Sequence, residues 1–338
     1  MTRKLTKLSF LVFGLLLLLA ACGGEENDTA TNATANDGAK ESAQTDEAKT
    51  FKIGTTQIVE HPSLDAAKEG FKKAIEDAGI KAEYVDKSAN GDNSTNMTIA
   101  QQLISDNVDL IFANSTPSAQ AAKGGTADIP IIFTSVTDAV GAELIDSMAT
   151  PGANVTGTID LHPETMPKTM AFLKELGVKN VGMVYNAGEQ NSVAQISTAK
   201  ELAAKEGITI VEASASTSAE VKQATESLLG KVEAYYIITD NTVVNALESV
   251  IDVANANKLP LIVGELDSVA RGGLAAYGFN YYDIGYEAGQ MAAQILLEGK
   301  SPSEIPAAYP ANLKLVINKE TAENLGLEVK PEWEAEVQ

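Results

Sequence analysis

Hydroxyls and carboxylates recur where β-rich runs of this 338-residue chain give way to helical ones, and together they suit a small zwitterion. The stretch Asn114-Ser115-Thr116-Pro117 predicts a helix start with Thr116 as N-cap and Pro117 as the first helical residue. Ser115, Thr116 and nearby amides could then face an anionic group, and Ser135 and Thr137 add hydroxyls from the next strand end. No Arg or Lys lies at the core of these loops, Arg271 being the nearest. That fits an α-carboxylate better than a phosphate or dicarboxylate, which would recruit a guanidinium. A second set is acidic: Asp240 in "TDN", with Glu265 and Asp267 in "GELDS", stands where an α-ammonium could be paired and hydrogen-bonded. Further polar candidates are Thr56, Gln57 and Glu60 after the first strand, Asn186, Glu189 and Asn191 in the matching loop of the second half, and Asn241 beside Asp240. Each has a plainer alternative, as a cap of the following helix or a solvated rim group.

Cys22, the only cysteine, has a different chemistry. Arg3, Lys4 and Lys7 precede an uncharged run from Leu8 to Ala21, the order of a secretory signal peptide. The run is shorter than the roughly 17 to 25 residues a membrane-crossing helix needs. Leu19, Ala20, Ala21 and Cys22 match the lipobox of bacterial lipoproteins, which implies cleavage before Cys22 and acylation of its thiol. Two or three acyl chains would hold the protein stably at the membrane. Residues 23 to about 49 contain no Val, Ile, Leu or aromatic residue and so bury too little apolar surface to fold; they read as a disordered tether.

Without the three basic residues of the signal, 22 basic residues face 46 acidic ones, a net charge of −24. Nucleic acid binding, which depends on Lys and Arg neutralising phosphates, is excluded on that balance. His61 and His162 belong to no HExxH pattern, and with a single cysteine no His/Cys metal site is expected. No cofactor is expected either. There is no GxSxG elbow, and "EGKS" at 298–301 lacks the upstream glycine of a P-loop because position 294 is Gln, so no enzyme is read here.

The elements that would position the polar residues alternate. "FKIGTTQ" predicts a strand, and a helix follows whose Ala66, Ala67, Phe71, Ala74, Ile75 and Ala78 share one face, with Ser63 as a possible cap. "KAEYVD", "VDLIFAN" and "IPIIFTS" predict further strands, with helices in "NMTIAQQLISD" and "TPSAQAAKGG" between them. The order then repeats through "KNVGMVYN", "ITIVEAS", "VEAYYIIT" and "LPLIVGE". Gly79 to Pro130 and Gly207 to Pro260 span nearly the same length. Such alternation implies parallel sheets with right-handed crossovers. "VTGTIDL" and "AAYGFNYY" read as crossing strands, and the helical face of Ile284, Ala288, Met291, Ala292, Ile295 and Leu296 implies a return to the first half. Tyr277, Phe279, Tyr281 and Tyr282 are expected as core or hinge packing beside that crossing. Several crossings favour a hinge.

Seven ordered stretches, "TTQIVEHPSLDAA", "DLIFANSTPSAQAA", "FTSVTDAVGA", "VYNAGEQNSVAQ", "TDNTVV", "ELDSVARGGLAAYG" and "YYDIGYEAG", carry a resemblance to the ABC-transporter substrate-binding proteins of the tryptophan/tyrosine-binding family. It extends from about residue 50 to 310. It implies an α/β type I periplasmic-binding-protein fold, two Rossmann-like lobes with parallel sheets joined by a hinge of crossover segments. The corresponding division is 1–21 signal peptide, 22–49 lipidated tether, 50–157 plus 281–303 lobe 1, and 158–280 plus 304–338 lobe 2. The resemblance further implies a lipoprotein on the outer face of the cell membrane, a monomer that hands an amino acid, Trp, Phe or Tyr, to a membrane permease. By analogy with amino-acid binders of this fold, Asp267 ranks first and Asp240 second as partners of the ammonium group. Two alternatives stay open: a ligand-sensing receptor subunit, and another small metabolite on the same fold.

Overall fold

The computed structural model describes residues 49–338; the expected signal peptide, Cys22 and the tether up to residue 48 lie outside them. The alternation read from the sequence appears as β1 (Thr50–Gln57), α1 (Pro62–Asp77), β2 (Lys81–Ser88), α2 (Asn93–Ser105), β3 (Leu110–Asn114), α3 (Thr116–Gly125), β4 (Ile131–Val136) and β5 (Val155–Ile159). These strands form one sheet in the order β2-β1-β3-β4-β5, with every pair parallel. β3 and β4 are buried along their whole length, as expected of parallel strands covered by helices on both faces.

The second half follows with α4 (Thr165–Glu175), β6 (Asn180–Tyr185), α5 (Gln190–Glu206), β7 (Thr209–Ser214), α6 (Val221–Glu226), β8 (Ala234–Ile237), α7 (Asn241–Val244), α8 (Leu247–Ala256), β9 (Leu261–Val263), α9 (Leu266–Arg271) and β10 (Ala275–Gly278). Then come α10 (Tyr281–Glu298), β11 (Lys314–Ile317), α11 (Lys319–Leu325) and β12 (Glu336–Val337). The second sheet runs β12-β11-β10-β9-β8-β6-β7. Its first five strands in chain order repeat the plan of the first sheet, and β11 adds antiparallel to β10. β5 and β10, within the two stretches read as crossing strands, are members of the sheets, and the crossings follow them.

α10 returns to the first lobe, where Ala288, Met291, Ala292 and Ile295 join the core of Ile53, Phe71, Phe112 and Ile132. The approach to α1 is backbone to backbone. A Cβ at Gly285 would stand 1.9 Å from the Ala67 carbonyl oxygen, and one at Gly70 2.1 Å from that of Tyr282, so only glycine permits this packing. The chain then stays with lobe 1 beyond the expected boundary at 303. Thr156 Oγ1 donates to the Ile305 carbonyl (2.7 Å), and Ala308 N–H to that of Gly157 (3.0 Å). Three segments therefore cross between the lobes, after β5, after β10 and after Ala308. The carboxyl ends of β1, β3 and β4 face those of β6, β8 and β9 across the cleft, as direct contacts of Thr137 and Ser63 with the second lobe attest.

Candidate functional site

Between the lobes lies a slot lined by His61, Leu64 and Ser135 from the first lobe, Asp160 and Tyr281 from the crossings, and Asn191, Thr239, Asp240, Asn241, Val244 and Glu265 from the second. It is a narrow cavity of about 310 Å³. The lobes are closed on it. No Lys or Arg is among these lining residues, whereas three carboxylates are.

Each acid is held by the element it starts or ends. Asp240 is the N-cap of α7: its Oδ1 accepts from Val243 N–H (2.8 Å), and Oδ2 accepts from Asn186 N–H (2.6 Å) and the Ser192 hydroxyl (2.6 Å). Burial, aided by the negative charge of Glu189, raises its pKa to about 7 against those bonds. Glu265 caps α9, accepting from Ser268 N–H (3.0 Å) and the Ser268 hydroxyl, and burial raises its pKa too. Asp160, just past β5, accepts from the Thr137 hydroxyl (3.0 Å) and the Tyr281 hydroxyl (2.8 Å), and burial lifts it to about 6. Each lifted pKa marks a carboxylate whose charge lacks full compensation, and a cation in the slot would supply it.

The first lobe offers the complement, polar atoms without partners. The hydroxyls of Thr56, Thr116 and Ser135 and the Nδ1 of His61 are buried and unpaired, as is Asn191 Oδ1 across the slot. Natural interiors rarely leave such atoms unsatisfied. Ser135 at φ 55° and Ser115 at φ 107° also hold backbone conformations that L side chains seldom adopt, at the ends of β4 and β3. Strain of this kind gathers at binding sites. Burial and the Arg271 guanidinium push His61 down to about 4, so its ring is neutral near pH 7.

Of the residues singled out from sequence, Ser135, Asn191, Asp240, Asn241 and Glu265 line the slot. Asp267, ranked first for the ammonium, does not; it is a partly buried residue in the first turn of α9. Gln57 supports the site from behind, its amide donating to Val59 O and Asp65 Oδ1. Asn186 supports Asp240 through its N–H. Ser115, not Thr116, is the N-cap of α3, which leaves the Thr116 hydroxyl free. Thr137 reaches the second lobe, accepting from Gln195 Nε2 (3.4 Å) and lying 3.4 Å from the Thr239 hydroxyl. Thr56 lies outside the slot's lining. Glu189, expected at a solvated rim, is buried and accepts five hydrogen bonds from Asn191, Asn241 and Thr242. Arg271 turns away to a bidentate pair with Glu248 (2.8 and 2.9 Å).

Sequence reasoning missed His61, Leu64, Asp160, Thr239 and Val244 as slot residues and took Tyr281 for packing. An acid at the very end of a strand, in "TGTID", was the available signal for Asp160. Among the described residues no group of His, Cys, Asp and Glu side chains could hold a metal ion, and no helix is long and apolar enough to cross a membrane.

Comparison with known proteins gives the family. The family profile described as ABC transporter substrate binding protein matches residues 52–335. The chain is 42% identical over 329 residues to a tyrosine-binding protein of Clostridioides difficile, covering 95% of this chain and 92% of that one. An ABC domain from Streptococcus pneumoniae solved in complex with L-Trp is 30% identical, with a TM-score of 0.82, over 86% of this chain and all of that one. The ligand-free, open structure of a substrate-binding protein with adhesive properties from Clostridium difficile is more similar in sequence, 40% over 85% of this chain and 99% of that one, yet superposes at only 0.64. In the present structure the lobes meet through contacts across the cleft such as Ser63–Glu265. The chain belongs to the ABC transporter substrate-binding protein family, with the two-lobed α/β fold of type I periplasmic-binding proteins.

Proposed function

We propose that the protein is the lipid-anchored solute-binding component of an ABC importer, and that the slot holds an amino acid with an aromatic side chain. The observation that carries this reading is the slot's charge: three buried carboxylates, no Lys or Arg, and the unpaired Ser135 hydroxyl on the opposite lobe. A free ammonium is the group such acids would compensate. Asp240, Glu265 and Asp160 take it, while the Ser135 hydroxyl and Asn191 are placed to meet the rest of the backbone portion. Leu64, Val244 and Tyr281 supply the apolar contact a side chain needs. The ligands in the names of the relatives, tyrosine and L-Trp, are of this chemistry.

The slot is too narrow for free entry, so the ligand enters with the lobes apart. Closure removes water from the zwitterion and replaces it with fixed dipoles and carboxylates, since burying unpaired charge is prohibitively costly. The closed shape is then what a membrane permease would distinguish from the open one. No ligand bond is made or broken. Acylation of Cys22 would keep the protein at the outer face of the membrane, where a Cys22→Ser protein would instead appear in the medium.

Isothermal titration calorimetry with each proteinogenic amino acid, after unfolding and refolding to strip carried-over ligand, tests the reading. Tight binding of Trp, Tyr or Phe is the expected result. No heat with any amino acid would reject the ligand class and leave the fold standing.

A further inference from the structure

The position of Ser63 in the sequence suggests a helix cap, but His61 occupies the N-cap of α1 and Ser63 lies inside the first turn. A hydroxyl within a helix ordinarily bonds the carbonyl four residues back. Ser63 is the second residue of α1, so the position four back, Val59, lies before the helix begins and offers no such carbonyl. The Ser63 hydroxyl instead crosses the cleft and donates to Glu265 Oε2 at 2.8 Å. Both residues are almost fully buried, at 1% and 3% exposure, although they belong to different lobes and stand 202 positions apart.

Glu265 is therefore shared. Its Oε1 accepts from the Ser268 hydroxyl, its Oε2 accepts from both the Ser268 N–H of its own lobe and the Ser63 hydroxyl of the opposite lobe, and the residue lines the slot. We infer that Ser63 is a positioning residue, a latch whose bond to Glu265 forms only when the lobes close and so ties closure to the carboxylate that faces the ligand. The inference rests on the slot being the ligand site, which Ser63 itself does not line. Opening the cleft breaks this bond, so the latch acts on the lifetime of the closed form. A bond to a charged acceptor is among the stronger hydrogen bonds, and its loss falls mainly on dissociation.

The test is Ser63→Ala in the purified protein. Stopped-flow release of the amino acid found by calorimetry should accelerate on the order of tenfold, with association little changed. In a Glu265→Ala background the same substitution should add nothing, because the acceptor is gone. Small-angle X-ray scattering of the ligand-free protein should show a larger radius of gyration for Ser63→Ala than for wild type. That arm needs no ligand, so it separates a failed latch from a wrong ligand class. Wild-type release and scattering, a lowered melting temperature with release unchanged, or an undiminished effect without Glu265 would each overturn the latch.

Discussion

The two lobes share one strand plan, β2-β1-β3-β4-β5 and β7-β6-β8-β9-β10, yet furnish their strand ends in opposite ways. The first lobe presents hydroxyls without partners, at Thr56, Thr116 and Ser135, the last on backbone held at positive φ. The second presents acids already hydrogen-bonded by the first turns of helices, α7 for Glu189 and Asp240 and α9 for Glu265. The first lobe thus stores unmet hydrogen bonds, and the second stores uncompensated charge. Only a molecule with both an acceptor and a cation satisfies the two together, and neither lobe alone would select it.

Substitutions should separate these two stores. The largest effect is expected in the second lobe. Asp240→Ala orphans the N–H groups of Asn186 and Val243 and removes a charge from the slot, so stability should fall by about 3 kcal/mol and affinity by on the order of a hundredfold. Chemical denaturation and calorimetry read the two losses, which should share one sign. In the first lobe the signs should part. Ser135→Gly relieves a φ of 55° and deletes an unpaired hydroxyl, raising stability by about 1 kcal/mol while weakening the ligand by on the order of tenfold.

Acidity probes the charge alone. Asp240 has a pKa of about 7 in the folded protein against 3.8 as a free group, so between those values the folded state binds a proton the unfolded chain does not. Its contribution to the stability of the ligand-free protein falls as pH rises through that window. His61, lowered to about 4 from 6.5, works in the other direction below pH 6.5, so the net fall should stand clear in melting curves between pH 6.5 and 8. An ammonium in the slot replaces the proton: saturating ligand should flatten that slope, and affinity should drop about tenfold from pH 8 to pH 6. The smallest effect is expected at Thr116. Thr116→Val keeps the shape and removes one unpaired hydroxyl outside the slot's lining, leaving affinity unchanged and stability equal or slightly raised.

Which parts of this arrangement were legible in the sequence follows from what each depends on. The lobes were legible because strand and helix periods are local, and because Gly79 to Pro130 and Gly207 to Pro260 repeat the same order. The strand-end acids were legible as a set but not in rank. Glu265 and Asp267 differ by two residues, about 200° around a helix axis, so the start of α9 decides which one faces the slot. Asp160 and Tyr281 were hidden because their meeting joins two crossings 121 positions apart. Glu189 was misplaced for a related reason: its burial follows from α7 docking its first turn onto the carboxylate.

The most direct measurement compares the best-binding amino acid with the same molecule lacking only its amino group, by calorimetry at pH 7.5. If the acids of the slot exist to hold an ammonium, the des-amino compound should bind at least on the order of a hundredfold more weakly. Equal affinity for the two would contradict that claim.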